Sequence, residues 1–491
     1  MTSLEYLSRR SFLRRATGAA FGISAANVIT DLRLIQSAAA QTAGTFPDYK
    51  ALVCLFLAGG NDASNMLVPN STAEYTDYAA ARGGLALWND AGQATPEQPY
   101  YLLPLNSANT AGREFGVHSV CPEIRDLFNA GRLAFLNNVG TLVEPMTRAL
   151  YTSGRGRRPP QLFSHNDQVV QWQTSVPDQI STTGWGGRAS DLLRASSAWS
   201  PGKISLCISM AGSNVFQTGA SGTPYQIASA GIGTAGGAQS LSGSASTNRY
   251  NRIKDIIALG QAQNVSLFEK DYAGVFQSAL DAADQINGAL GAIPAGDLAT
   301  INGTFDPLLN VGTQAAETRS LAGQMKQIAR MIAARSSIGV QRQIFFCQLG
   351  GFDTHGPQIA PQATLLRSVS RNIKAFHDAM SGLGVSNNVT LFTASDFGRT
   401  YPSNGQGSDH GWGTHTMMVG GAVNGGRLYG TFPNLQVNGP DDTSLGRWIP
   451  TTSVDTYSAT LARWFGVTES NIEIILPNLG RFATRDVGFF V

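Results

Sequence analysis

Ala51-Leu52-Val53-Cys54-Leu55-Phe56-Leu57-Ala58-Gly59-Gly60-Asn61-Asp62 is an unbroken apolar run that ends in two glycines, an amide and a carboxylate. A strand without a polar face has to be covered on both sides, as in the interior of a parallel sheet. The glycines permit a tight turn and a close backbone approach to whatever Asp62 touches. Runs of the same kind recur at Leu133 to Val139, Ile204 to Met210, Ile344 to Leu349, Val389 to Thr393 and Met417 to Val419. Between them lie helical patterns over Pro122 to Ala130, Asn166 to Thr174, Arg249 to Leu290, Ala315 to Ala334 and Pro361 to Leu383, with a last one over Thr456 to Phe465. Strand and helix in alternation predict a doubly wound α/β fold: a mostly parallel central sheet with helices on both faces. In such a sheet ligands collect outside the carboxyl ends of the strands.

Those ends carry the chemistry. The second strand exit is Gly350-Gly351-Phe352-Asp353-Thr354-His355 and the third is Ser395-Asp396-Phe397-Gly398-Arg399-Thr400. A Gly-rich loop then runs Asp409-His410-Gly411-Trp412-Gly413-Thr414-His415 into another apolar strand. Of six histidines in the chain, His355, His410 and His415 fall in this short region together with Asp353 and Asp396. Hard oxygens and imidazoles gathered at strand exits make a divalent metal site the first expectation, with Asp62, Asp353, His355, Asp396, His410 and His415 as its ligands. Mixed imidazole and carboxylate ligands suit zinc or manganese; a carboxylate-dominated set leans to calcium or magnesium.

Ser8-Arg9-Arg10-Ser11-Phe12-Leu13-Arg14 precedes a weakly apolar stretch from Ala16 to Ile29, and Ala38-Ala39-Ala40 offers small side chains to a signal peptidase. This resembles a twin-arginine export signal over residues 1–40, read by the twin-arginine translocase and leading to a periplasmic or secreted protein. That segment holds five arginines against Glu5 and Asp31, so of 35 basic and 33 acidic residues it leaves 30 and 31. No basic surplus remains to grip nucleic acid or an anionic membrane. No second apolar stretch reaches transmembrane length, so no membrane anchor is expected in the mature chain.

Cys54, Cys121, Cys207 and Cys347 are scattered, and none forms a C-x-x-C pair. Buried free thiols are expected, and a zinc–thiolate site is disfavoured. From Ile204 to Asn248 there is no Asp, Glu, Lys or Arg. Its Gly/Ser-rich second half reads as a long loop leading into a helical segment, together an insertion over about 213–310 within one domain spanning 41–491.

The GGND, GGFDTH, SDFGRT and DHGWGTH segments, with Ser164-His165-Asn166-Asp167-Gln168 and the export signal, resemble the bacterial DUF1501 family, grouped with alkaline-phosphatase-like and sulfatase-like proteins. The resemblance implies that fold and a metal-assisted ester hydrolysis site. It makes Asp62 the aspartate at the end of the first strand, Asp353 and His355 a second pair of ligands, Asp396 a third carboxylate and His415 the final histidine, with His410 as an addition. Phe397 stands where phosphatases of the superfamily usually have a histidine. Ser164, ahead of a helix whose unpaired N–H groups would favour an alkoxide and an incoming phosphate, is the implied nucleophile. Arg399 is the implied fork for the transferred group, and His165 an acid or further ligand. No Cys-x-Pro-x-Arg stretch occurs, which disfavours a formylglycine sulfatase.

The expected function is therefore an exported, metal-dependent hydrolase of phosphate or sulfate esters, acting on a small-molecule or polymer-linked substrate. The rival reading is a non-catalytic exported protein of the same fold that binds a polysaccharide or a cell-surface partner.

Overall fold

The computed structural model describes residues 46–195, 204–222, 224–227, 252, 254–258 and 267–491. The expected export signal lies outside them. The described residues form strands β1 (Lys50–Leu57), β2 (Leu67–Pro69), β3 (Leu102–Pro104), β4 (Phe115–His118), β5 (Leu133–Gly140), β6 (Cys207–Ser209), β7 (Tyr225–Gln226), β8 (Arg342–Leu349), β9 (Val389–Ser395), β10 (Thr414–Val419), β11 (Leu428–Tyr429) and β12 (Thr452–Ser453), of which β1, β5, β6, β8, β9 and β10 are the six expected apolar runs. Nine of these form one sheet in the order β11-β5-β10-β9-β1-β8-β6-β7, with β12 also on β5, while β2-β4-β3 make a small antiparallel sheet.

β1 lies at the middle of the large sheet, and its residues alternate between two cores. Ala51, Val53, Leu55 and Leu57 pack on one face with Ile328, Ile332, Leu366, Ile373 and Phe376 from helices Ala316–Ala333 and Ile359–Gly382. Leu52, Cys54 and Phe56 pack on the other with Trp185, Leu192, Tyr457, Leu461 and Ile472 from helices Trp185–Ala195, Val454–Phe465 and Glu469–Ile475. Helices on both faces explain why Ala51 to Leu57 carries no polar residue, since fully burying each large apolar side chain contributes ~1.5–3 kcal/mol. Local signals set the helix ends. Ser453 accepts the N–H of Thr456 at the start of Val454–Phe465, and Gly466 ends that helix at φ +113°. Ile286, Ile301 and Phe305, from the segment expected as an insertion, are buried in the first core. All four cysteines are buried and free.

The expected direction of one strand is corrected. Thr414–Val419 pairs antiparallel with both β5 and β9. Its apolar composition reports burial on two faces and carries no information on direction.

Register then positions the site. Leu57 is level with Leu349 on β8 and with Ser395 on β9, so three parallel strands end side by side. The loops that follow, carrying Gly59, Asp353 and Asp396, have to meet.

Candidate metal centre

Gly59 draws these loops together. Its N–H donates to Asp396 Oδ1 at 3.0 Å, and its φ of +113° belongs to the region glycine favours. A Cβ there would sit 2.5 Å from the Asp353 backbone nitrogen, so no other residue allows the first and second exits to lie this close. Asn61 N–H donates to Ser395 Oγ at 2.9 Å and ties the first exit to the third.

Onto this frame the helix His165–Thr174 and the Gly-rich loop bring two imidazoles. His165 Nδ1 lies 2.7 Å from Asp396 Oδ2, and His410 Nδ1 lies 2.6 Å from the Phe163 carbonyl oxygen. An acceptor beside Nδ1 means that Nδ1 carries the hydrogen, leaving a lone pair on Nε2. Both Nε2 atoms point at one carboxylate oxygen: Asp353 Oδ1 is 3.4 Å from His165 Nε2 and 3.3 Å from His410 Nε2. His355 stands at the rim, its Nδ1 2.9 Å from Asp409 Oδ1 and its Nε2 3.1 Å from Asp353 Oδ1 and 2.8 Å from His410 Nε2. Phe397 lies beneath, its ring centroid 4.8 Å from that of His165 and 4.6 Å from that of His410. The loop that delivers His165 is bent, with Gln161 and Phe163 at φ +52° and +74°, strain of the kind that clusters at sites which need a carbonyl or side chain aimed.

Charge follows the same plan. Burial opposes ionisation of Asp353, but the hydrogen bond and charge of Arg399, with His355 and His165, outweigh it and hold this carboxyl below its ordinary range. Burial keeps His410 below its usual value, helped by His165 and Arg399 and opposed by the Phe163 carbonyl. A neutral imidazole and an ionised carboxylate are the forms that ligate a cation.

Whether a divalent ion fits can be tested on the donor atoms. His165, Asp353 and His410 each offer one ligand atom, and all three lie within 4.8 Å of one another. Separations of 3.3 and 3.4 Å match the edge of a tetrahedron with bonds of about 2.0–2.1 Å, the usual zinc–nitrogen length. Among the described residues His165 Nε2 is buried without a hydrogen-bond partner, which a cation would remedy. Asp353 and His355 leave the open side facing solvent, their side chains 45% and 44% exposed. Two histidines, one carboxylate and an open side fit a catalytic rather than a closed structural site.

Several expected site residues lie elsewhere or do something else. Asp62 does not join the cluster: its carboxylate is buried against the Arg82 guanidinium and the Gln358 amide, and it accepts the Ser64 N–H at 3.2 Å. His415 is not in it either. It shares the core face of Met417 and Val419, stacks on Phe432 at 4.8 Å, and accepts the Asn138 N–H at 3.3 Å, while burial pushes its pKa down to about 3. Asp396 has both oxygens engaged, on His165 and on the Gly59 N–H, so it orients the His165 imidazole. Arg399 is fully buried, with its donors on Asp353 Oδ1 at 2.7 Å, the Gly59 carbonyl and both oxygens of Ser408, so no fork is left for a substrate. Ser164 stands at the start of its helix with its hydroxyl donating to Asp167 Oδ2 at 2.6 Å. Asp409 and the Phe163 carbonyl were not singled out by the sequence. Asp409 adjoins His410, which is a usable signal; a backbone carbonyl leaves none.

The fold and this cluster together define a mixed α/β protein with a mostly parallel sheet and a His/Asp constellation at its strand exits. The chain belongs to the family described as Protein of unknown function (DUF1501), which it matches over residues 49–468. Among solved structures it is similar to one described as the crystal structure of Ps i-CgsB in complex with k-i-k-neocarrahexaose, with 11% identity, a TM-score of 0.31, and coverage of 87% of this chain and 74% of that one. No curated protein matches it.

Proposed function

We propose that the protein is an exported, divalent-metal-dependent hydrolase of phosphate or sulfate esters with an alkaline-phosphatase-like plan. The observation that carries the reading is the convergence of His165 Nε2 and His410 Nε2 on Asp353 Oδ1, each imidazole being held from behind through Nδ1. His165, Asp353 and His410 would hold the ion, zinc or manganese by the chemistry of the set. Bound there, the ion supplies Lewis-acid polarisation of the ester oxyanion.

The chain's own residues do the rest. Asp396 and the Phe163 carbonyl fix the imidazole tautomers, Arg399 keeps Asp353 ionised, and Phe397 closes the floor against water. Ser164 is the proposed nucleophile. Its oxygen attacks phosphorus or sulfur as Asp167 takes its proton, and the bond to the alcohol breaks. His355, protonated on both ring nitrogens with Nδ1–H held by Asp409, gives the departing oxygen the proton from Nε2. Water then attacks phosphorus or sulfur and passes a proton to His355, while the bond to Ser164 breaks and Asp167 returns its proton to Oγ, releasing the inorganic anion.

Export rests on the Ser8-to-Arg14 and Ala38-to-Ala40 patterns. Among the described residues no helix is long and apolar enough to cross a membrane.

The test is elemental analysis of purified protein, followed by turnover of aryl phosphates and aryl sulfates by wild type and the Ser164→Ala, Asp353→Asn and His410→Ala variants. Bound metal with turnover lost in all three supports the reading. Bound metal without mutation-sensitive turnover leaves the rival, an exported metal-holding protein that binds a polysaccharide or surface partner.

A further inference from the structure

We infer that Arg447 is the residue that recognises the anionic group of the substrate, so that the site selects esters carrying an oxyanion, phosphate or sulfate, over neutral ones. The inference rests on the reading of the triad as a metal-assisted ester site.

Such a site needs a cation besides the ion, because a tetrahedral oxyanion has more acceptor oxygens than one ion covers. Arg399 cannot supply it, being fully buried and engaged on Asp353, Gly59 and Ser408. Arg447 is placed differently. Its Nε donates to the His410 carbonyl oxygen at 2.8 Å, which anchors the side chain directly on a triad residue. Its guanidinium carbon lies 4.6 Å from the centroid of the Phe163 ring, the residue whose carbonyl holds His410 Nδ1. The side chain is thus pinned at Nε and set over an aromatic ring, and it is only partly covered from solvent. Nη1 and Nη2 have no hydrogen-bond or ion-pair partner among the described residues, leaving four N–H donors in a fixed fork. The segment that carries it is itself braced, since Asp442 accepts the backbone N–H groups of Gly446 and Arg447 at 2.9 Å. A pre-oriented guanidinium with free ends is the group that matches phosphate or sulfate in bidentate fashion.

The probe is inorganic phosphate, titrated calorimetrically into metal-loaded full-length protein, with inorganic sulfate as the second anion. Arg447→Ala is expected to weaken anion binding at least tenfold, and Arg447→Lys to recover part of the loss, since it restores the charge without the fork. Aryl phosphate turnover should show a raised KM in Arg447→Ala, partly recovered in Arg447→Lys. Metal content and melting temperature of each variant are measured alongside. Equal phosphate affinity in metal-loaded wild type and in both variants overturns the assignment of Arg447 and leaves the triad reading intact. Absence of bound metal in wild type overturns the triad reading itself, and the inference with it.

Discussion

Asp396 Oδ2 lies 2.7 Å from His165 Nδ1, while Asp396 Oδ1 accepts the Gly59 N–H at 3.0 Å. One carboxylate thus joins the turn after the first strand to the imidazole at the head of a helix. It sets which nitrogen of His165 keeps its lone pair, and in a metal site partners of this kind typically contribute ~10–100-fold to affinity.

Asp396→Asn keeps an oxygen for the Gly59 N–H but no longer offers an anion to His165. A folded protein whose metal affinity falls ~10–100-fold is expected, measured by competition with a chelator of known affinity. Unchanged affinity would remove Asp396 from the site.

Asp62→Ala tests the opposite assignment. It leaves the buried Arg82 guanidinium without its carboxylate, an uncompensated charge that destabilises by about 3–5 kcal/mol. Metal content per folded molecule is expected to match wild type. Urea unfolding together with elemental analysis reads both quantities, and loss of metal in soluble, folded Asp62→Ala would return Asp62 to the ligand list.

Gly59→Ala introduces a Cβ that meets the Asp353 backbone at 2.5 Å in a conformation disfavoured for side chains. A loss of roughly 1–3 kcal/mol and reduced metal uptake are expected. Gly350→Ala, where nothing lies within 4 Å of the added methyl, is the control and should be neutral in both assays.

Asp455 gives a pH signature. Burial pushes its carboxyl up to about 8, against the pull of its own backbone N–H and of Arg188. The folded state therefore holds a proton that the unfolded chain releases near pH ~4, and stability falls as pH rises from there to about 8. Asp455→Asn cannot ionise. Its melting temperature should exceed that of wild type at pH 9, with the gap closing toward pH 4, as followed by thermal unfolding across that range. A gap that does not change with pH would show that Asp455 is not the titrating group.

Much of the frame could be read from apolar runs. All six expected strands form, because a run such as Leu52 to Leu57 has no soluble alternative to burial on two faces. Short or mixed segments were less legible. Helices Thr72–Arg82 and Trp185–Ala195 were not expected, and neither was the β2-β4-β3 sheet, whose strands are three or four residues long and too brief to show a period.

The site was legible as a set of strand exits but not as a set of partners. Asp62 and Asp353 follow similar Gly-Gly turns, yet Arg82, 20 residues beyond Asp62, claims the first, while Arg399 and the imidazoles frame the second. His415 sits five residues from His410 but follows the alternation of β10 onto the core face. His165, read as an acid or ligand beside the nucleophile, becomes part of the triad because its helix begins against Asp396.

By itself the sequence determined that an α/β sheet forms and that Asp353, Asp396 and the histidines leave it at neighbouring strand ends, because apolar periodicity and glycine turns act over a few residues. Only the tertiary structure decided which of these groups face one another, which are neutralised by Arg82 or Arg399, and that Arg447 Nη1 and Nη2 have no partner among the described residues. Those outcomes depend on ångström-scale distances between segments up to several hundred residues apart, set by strand register and packing, which no local pattern records.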